Sequence, residues 1–341
     1  MTVGEKISKL RNTAKISQDE LAELLSVSKQ TVSQLENGHT LPGIDNLLRL
    51  KEIFGVSLDR LLDTESEPIA SINPDSIDTV CAAICYAAGV EKPTCAAEKN
   101  NELSSYIDKA FGSERADRIV MYNPDAVAEW VYKKYPGYLA NAKSNTEKEI
   151  YLSTVMPSVT PVCFGSLYTG AQPAIHGIKK YEKPVITIDT IFDAFVRAGK
   201  KVALITYMQC SLSRIFLGRD IDHYHFENQG IEAVNAKAME VILRDEHDLI
   251  IIYNGNYDAA MHKAGPESSA ALAELRVNDH VFGMISHLIK NNWRHHNTLV
   301  GFAMDHGCHE IDGRCGSHGL DMPEDINIVH LYKCYARDKQ I

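Results

Sequence analysis

Asp258 and His262 stand four residues apart, just after the apolar run Leu249-Ile250-Ile251-Ile252. A buried strand that opens into a loop carrying a carboxylate and an imidazole offers two metal-ligand types at the edge of a sheet. Taken alone, the two residues read as a surface hydrogen-bonded pair; three further segments of the same build change that reading. Leu299 to Met304 is strand-like and ends in Asp305-His306-Gly307, two ligand types and a glycine expected to let the backbone turn sharply. Gly316-Ser317-His318-Gly319 sets a histidine among small residues, and Arg118 to Tyr122 runs into Asn123-Pro124-Asp125. Oxygen and imidazole donors without thiolates suit zinc or manganese. A nucleophile is offered by Thr160, which heads an expected helix after Met156-Pro157-Ser158-Val159. Its hydroxyl is inert at its free pKa, but a bound divalent cation lets it ionise far more readily and attack phosphorus. The free N–H groups of a helix start also favour an anionic phosphate.

These groups need elements to carry them. Over 76–341, short apolar runs alternate with amphipathic stretches, among them Val202 to Tyr207, Ala233 to Leu243, Leu249 to Tyr253, Ala270 to Ile289 and Leu299 to Ala303. The alternation predicts an α/β domain with a largely parallel sheet covered by helices on both faces, its ligands gathered at the carboxyl ends of the strands. Ser76 is expected to cap a helix over Ile77 to Ala88. His176 is assigned to a turn, Asp189 and Asp193 to a cap and a solvated helix face, Cys308 to packing, and His223, His225, His295, His296 and His309 to loops.

The preceding residues have another character. From Val3 to Leu62 apolar residues recur at helical spacing, predicting about five short helices. Ser17 and Glu20 form a capping box, and a tight turn at Ser26-Val27 leads to a second helix capped by Ser28. That helix presents Lys29, Gln30, Thr31, Ser33 and Gln34 outward, where they can reach base edges or phosphates. Asp63 to Asp75, acidic and with two prolines, reads as a connection. The expected domains are therefore 1–63, an all-α helix-turn-helix head, a linker over 64–75, and the α/β domain over 76–341.

Composition narrows the classes. A net charge of -10 argues against non-specific coating of nucleic acid. The eight cysteines include no C-x-x-C pair, so neither a disulfide framework nor a thiolate zinc site is indicated. No run approaches the roughly 18 apolar residues of a membrane span. A cytoplasmic protein with no membrane partner is expected.

The run S-Q-D-E-L-A-E-L-L-S-V-S-K-Q-T-V-S-Q-L-E-N-G resembles the phage-repressor-like (Xre-type) helix-turn-helix family. The resemblance implies DNA binding as a homodimer, with Gln18, Lys29, Gln30, Thr31 and Gln34 facing DNA and Asn37 near its backbone. Over about residues 73 to 341, P-S-V-T-P, Y-T-G, P-A-I-H-G-I, Y-x-x-x-x-D-x-x-x-H-x-x-G-P-x-S, D-H-G and S-H-G occur in order. Together they resemble the alkaline phosphatase superfamily, most closely its nucleotide pyrophosphatase/phosphodiesterase branch. That resemblance implies two divalent ions, zinc or manganese. Asp258, His262 and His318 would hold one, and Asp305, His306, Thr160 and an early aspartate the other, with hydrolysis through a phosphothreonine.

Two departures stand out. The family's Asp-Gly is replaced by Asn123-Pro124-Asp125-Ala126, from which Asp125 is chosen as ligand with Asn123 as the alternative. The asparagine that follows H-G-I in family phosphodiesterases is replaced by Lys179-Lys180-Tyr181. The implied function is a DNA-binding phosphoesterase acting on a phosphodiester or nucleotide pyrophosphate. The alternatives are a regulator whose phosphodiesterase-like domain is a non-catalytic ligand sensor, and phosphomonoester or phosphonate chemistry.

Overall fold

The computed structural model describes residues 2–54, 58, 71–226, 230–311 and 314–338, in two compact units, Met1–Ser71 and Ile72–Ile341. The expected fifth helix of the head and most of the expected linker, up to residue 70, lie outside the described residues.

The first unit holds α1 (Val3–Thr13), α2 (Gln18–Leu25), α3 (Lys29–Glu36) and α4 (Ile44–Phe54). Side chains set their starts: Thr2 with Glu5 and Ser17 with Glu20 form capping boxes, and Ser28 accepts the Thr31 N–H. Ser26 takes a left-handed φ of 56°, which ends α2 and swings the chain into α3. Ile7, Leu21, Leu25, Val32 and Leu50 form the core. At the end of α3, Glu36 accepts hydrogen bonds from Arg11 Nε at 2.5 Å and Gln18 Nε2 at 2.8 Å. Burial opposes the Glu36 charge, but Arg11 and Gln18 outweigh it and hold the carboxyl below its usual range.

The second unit is built on a seven-stranded sheet, β1 (Arg118–Pro124), β2 (Lys148–Ser153), β3 (Val202–Tyr207), β4 (Asp222–Phe226), β5 (Leu249–Asn254), β6 (Thr298–Ala303) and β9 (Asn327–Tyr335), in the order β2-β9-β6-β1-β5-β3-β4. A separate hairpin pairs β7 (His309–Ile311) with β8 (Cys315–Ser317). Five consecutive strands, β6, β1, β5, β3 and β4, run parallel, while β9 is antiparallel to both β6 and β2. The largely parallel sheet of an α/β domain is therefore as expected. Helices α5 (Thr79–Ala88), α6 (Asn101–Phe111), α7 (Thr160–Thr169) and α8 (Ile191–Arg197) form one layer, and α9 (Gly230–Arg244), α10 (Asn256–Ala264) and α11 (Ser269–Asn292) the other. Consecutive residues of β1 show the two faces: the Tyr122 hydroxyl donates to Asn278 on α11, and Asn123 accepts from Tyr168 on α7.

Four local expectations are corrected. Asp258 and His262 lie on a helix, α10, rather than a loop, so their spacing of four puts them on one face. Ser76 does not cap α5 with its side chain; its carbonyl accepts from Thr79. Gly307 makes no left-handed turn. It is required by close approach instead, since a Cβ there would stand 2.0 Å from the carbonyl oxygen of Glu324. Asn123, the alternative ligand, donates through Nδ2 to the Met121 and Ile252 carbonyls at 3.1 and 3.0 Å, and its Oδ1 accepts from the Tyr168 hydroxyl at 2.8 Å.

Two stability outcomes follow from these placements. Glu36→Ala leaves Arg11, whose side chain is 13% exposed, without its counter-charge; removing one partner of such a pair costs about 3–5 kcal/mol. Chemical denaturation of the head checks it. Because the folded pKa is depressed, the pair's contribution is complete above the unfolded value of about 4.3 and disappears as pH falls through the folded value. At the exit of β1, Ala126 holds a left-handed φ of 61°. Ala126→Gly relieves roughly 1 kcal/mol of backbone strain but removes a fully buried methyl worth about 0.8 kcal/mol, so thermal denaturation should read little net change.

Candidate functional site

The carboxyl ends of three adjacent strands, β6, β1 and β5, deliver the expected donors to one place. Asp125 follows β1, Asp305 and His306 follow β6, and α10 carries Asp258 and His262 directly after β5. His318 arrives on the loop after β8, and Thr160 occupies the first turn of α7.

They form two neighbouring groups. In the first, His306 Nε2 lies 3.3 Å from both Asp125 Oδ1 and Asp305 Oδ2. Thr160 Oγ1 stands 3.2 Å from His306 Nε2 and 3.5 Å from Asp125 Oδ2. In the second, Asp258 Oδ1 is 3.2 Å from His262 Nε2 and 3.4 Å from His318 Nε2. The rings of His306 and His318, one from each group, are 4.1 Å apart between centroids.

The outer hydrogen bonds fix which ring nitrogens face inward. His306 Nδ1 lies 2.9 Å from the Gly307 carbonyl, His262 Nδ1 3.0 Å from that of Gly316, and His318 Nδ1 3.0 Å from that of Ser158. A carbonyl only accepts, so each Nδ1 carries a hydrogen and a neutral ring presents Nε2 as a bare lone pair. Yet His262 Nε2 and His318 Nε2 are 3.1 Å apart. Two lone pairs at that distance repel unless a positive charge, proton or metal, lies between them. Ligands around a tetrahedral zinc with bonds of about 2.0–2.1 Å sit about 3.3 Å from one another.

The carboxylates make the same demand. Asp125 Oδ1, Asp258 Oδ1 and Asp305 Oδ2 are buried with no hydrogen-bond partner among the described residues. Burial, reinforced by Asp125, pushes the Asp305 carboxyl well up. Burial lowers His306, but Asp305 and Asp125 overcome it and raise the imidazole to about 10. Burial likewise opposes the Asp258 charge, and His262 and His318 more than compensate, holding that carboxyl low. The donor set therefore fits divalent cations, which would displace these protons.

Other residues near the centre have structural partners. Asp325 accepts from His309 Nδ1 at 2.8 Å and from the Leu320 N–H at 2.9 Å, tying the hairpin to the loop that holds His318. His176 is buried, with Nε2 at 3.1 Å from Ser166 Oγ, and burial lowers its pKa to about 4. His295 and His296 converge on Asp245, whose carboxylate Arg118 already binds at 2.8 Å. Lys179, Lys180 and Tyr181 are exposed, and Lys180 pairs with Glu182 at 3.4 Å. Tyr253 enters the sequence reading as the end of a strand-like run and the first residue of the Y-x-x-x-x-D motif, with no role attached to its side chain; its hydroxyl donates to Asp125 Oδ2.

On the head, Gln30, Gln34 and Asn37 are exposed, while Thr31 is half-buried and shares a hydrogen bond with Ser28. Lys29 is exposed and pairs with Asp19 at 2.8 Å, and Asn37 reaches Ser33 at 3.4 Å. Gln18 is half-buried and turned to Glu36, which draws it away from the outward set on α3.

Residues 7–61 match the helix-turn-helix family, and residues 122–329, more than half of the chain, match the family described as type I phosphodiesterase / nucleotide pyrophosphatase. The head is 35% identical over 65 residues to the HTH-type transcriptional activator BcrR of Enterococcus faecalis, a match covering 19% of this chain and 32% of BcrR, so the chain spans about a third of that relative. It is also similar to the P22 c2 repressor, solved in complex with a synthetic operator, at 35% identity over 19% of this chain and 98% of that one, with a TM-score of 0.19. The human ectonucleotide pyrophosphatase / phosphodiesterase 5 structure is similar at 17% identity over 57% of this chain and 58% of that one, with a TM-score of 0.47. The chain belongs to the type I phosphodiesterase / nucleotide pyrophosphatase family, and its N-terminal residues 7–61 match the helix-turn-helix family.

Proposed function

We propose that the second unit is a two-metal phosphoesterase that cleaves a phosphodiester or nucleotide pyrophosphate, tethered to a head that reads DNA as a homodimer. The observation that carries the enzymatic reading is the approach of His262 Nε2 and His318 Nε2 to 3.1 Å while both Nδ1 atoms face backbone carbonyls. Asp258, His262 and His318 would hold one ion, and Asp125, Asp305, His306 and Thr160 the other. When bound, zinc or manganese would favour ionisation of the Thr160 hydroxyl and stabilise the leaving oxygen. Thr160 then attacks phosphorus, the leaving group departs, and water hydrolyses the phosphothreonine. The first turn of α7 places the Thr160 hydroxyl between Asp125 and His306. In the head, Lys29, Gln30, Thr31 and Gln34 would contact DNA, with Asn37 near its backbone and Gln18 released from Glu36 to join them. A dimer would read paired half-sites.

Bis-nitrophenyl phosphate with added zinc or manganese tests the reaction. Thr160→Ala should lower turnover by at least about 1000-fold, and unchanged turnover would reject the mechanism. Metal binding has its own signature: at a hundred times Kd, zinc should stabilise the protein by about 2.7 kcal/mol. Because a cation must displace the proton of His306, whose imidazole is raised to about 10, metal affinity should rise with pH up to about 10. Calorimetry in buffers of different ionisation enthalpy reads the protons released.

The exposed Lys179, Lys180 and Tyr181, standing where family phosphodiesterases have an asparagine, favour a second reading as a ligand sensor. In that case a nucleotide changes operator affinity without being consumed, which footprinting and product analysis distinguish from catalysis.

A further inference from the structure

Asp125 is the only member of the centre whose carboxylate is held by a tyrosine among the described residues, and the way that tyrosine is packed gives it a task. The Tyr253 hydroxyl donates to Asp125 Oδ2, the oxygen that Thr160 Oγ1 approaches at 3.5 Å. Asp125 Oδ1, 3.3 Å from His306 Nε2, has no hydrogen-bond partner among the described residues. A carboxylate free at both oxygens can offer either or both to a cation; a donor fixed on one leaves the other as the ligand.

Two ring contacts and one vacant position define the space of the phenol. Phe164 of α7 meets the Tyr253 ring edge-on at 5.5 Å, and the Tyr207 ring, at the end of β3, lies 5.6 Å away. The vacant position is Gly255: a Cβ there would come 2.4 Å from Tyr207 Oη and 3.0 Å from Tyr253 Oη. Any larger residue at this position must displace a phenol. Gly255 has no left-handed φ, so space rather than backbone conformation accounts for the glycine.

We propose that Tyr253 is a positioning residue that holds Asp125 so that Oδ1 faces the cation shared with Asp305 and His306, and that Gly255 leaves the room its phenol needs. The inference rests on the two-metal reading and concerns a contact outside the ligand set.

The test is calorimetric titration of the metal-stripped, full-length protein with zinc, where the wild-type chain should take up two equivalents. Tyr253→Phe keeps the ring packing and removes the donor. It should weaken one of the two binding events roughly 10–100-fold and leave the other, and the far-UV ellipticity, unchanged. Gly255→Ala should weaken the same event by displacing the phenols, which keeps the proposal open to test should the first variant fold poorly. Two wild-type affinities in both variants, or an equal loss in both binding events, overturn the positioning role while leaving the metal reading standing. No zinc uptake by the wild-type protein overturns both.

Discussion

The folded second unit depends on an unbalanced concentration of negative charge. Asp125 and Asp305 are almost completely buried, Asp258 contributes a third buried carboxylate oxygen, and one oxygen of each has no hydrogen-bond partner among the described residues. Burying carboxylates so close together is costly unless positive charge joins them. Three outward Nδ1 hydrogen bonds aim the histidines' other nitrogens into the same space, so imidazoles and carboxylates make one demand. Such a centre has to be imposed by the scaffold, because its carboxylates repel one another and His262 and His318 turn two nitrogens toward each other.

The scaffold imposes it through neighbouring parallel strands. β6, β1 and β5 lie side by side with their carboxyl ends together, and each hands the chain to a segment carrying ligands. Parallel strands covered by helices on both faces are what the apolar runs imply, and ligands at their carboxyl ends follow from that geometry. Local devices complete the arrangement: the left-handed turn at Ala126, the close approach at Gly307, and the Asp325 links that steady the loop of His318. Tyr253 belongs to the same outer layer.

Much of this was legible in residue order, for identifiable reasons. Buried parallel strands are continuous apolar runs, so Leu249-Ile250-Ile251-Ile252 and Leu299 to Ala303 stand out. Strands β2 and β9 do not stand out, since Lys148-Glu149-Ile150-Tyr151-Leu152-Ser153 mixes charge with apolar side chains and β9 carries a histidine and a lysine. β9 is buried along most of its length, and His330 is satisfied there by the Met304 carbonyl and the Tyr332 hydroxyl, partners that no local pattern reveals. The same limit separates Asp125 from Asn123. The two share a strand exit, and only the Tyr168 hydroxyl and two strand carbonyls show that Asn123 is already engaged. The close approach that requires a glycine at 307 comes from a carbonyl 17 residues further on, which no local pattern contains.

Anomalous diffraction from crystals grown with zinc tests the central claim most directly, by locating the ions themselves. Two peaks about 4 Å apart, one among Asp258, His262 and His318 and the other among Asp125, Asp305, His306 and Thr160, are the expected result. An empty centre at saturating zinc, or ions found only elsewhere on the chain, would contradict it.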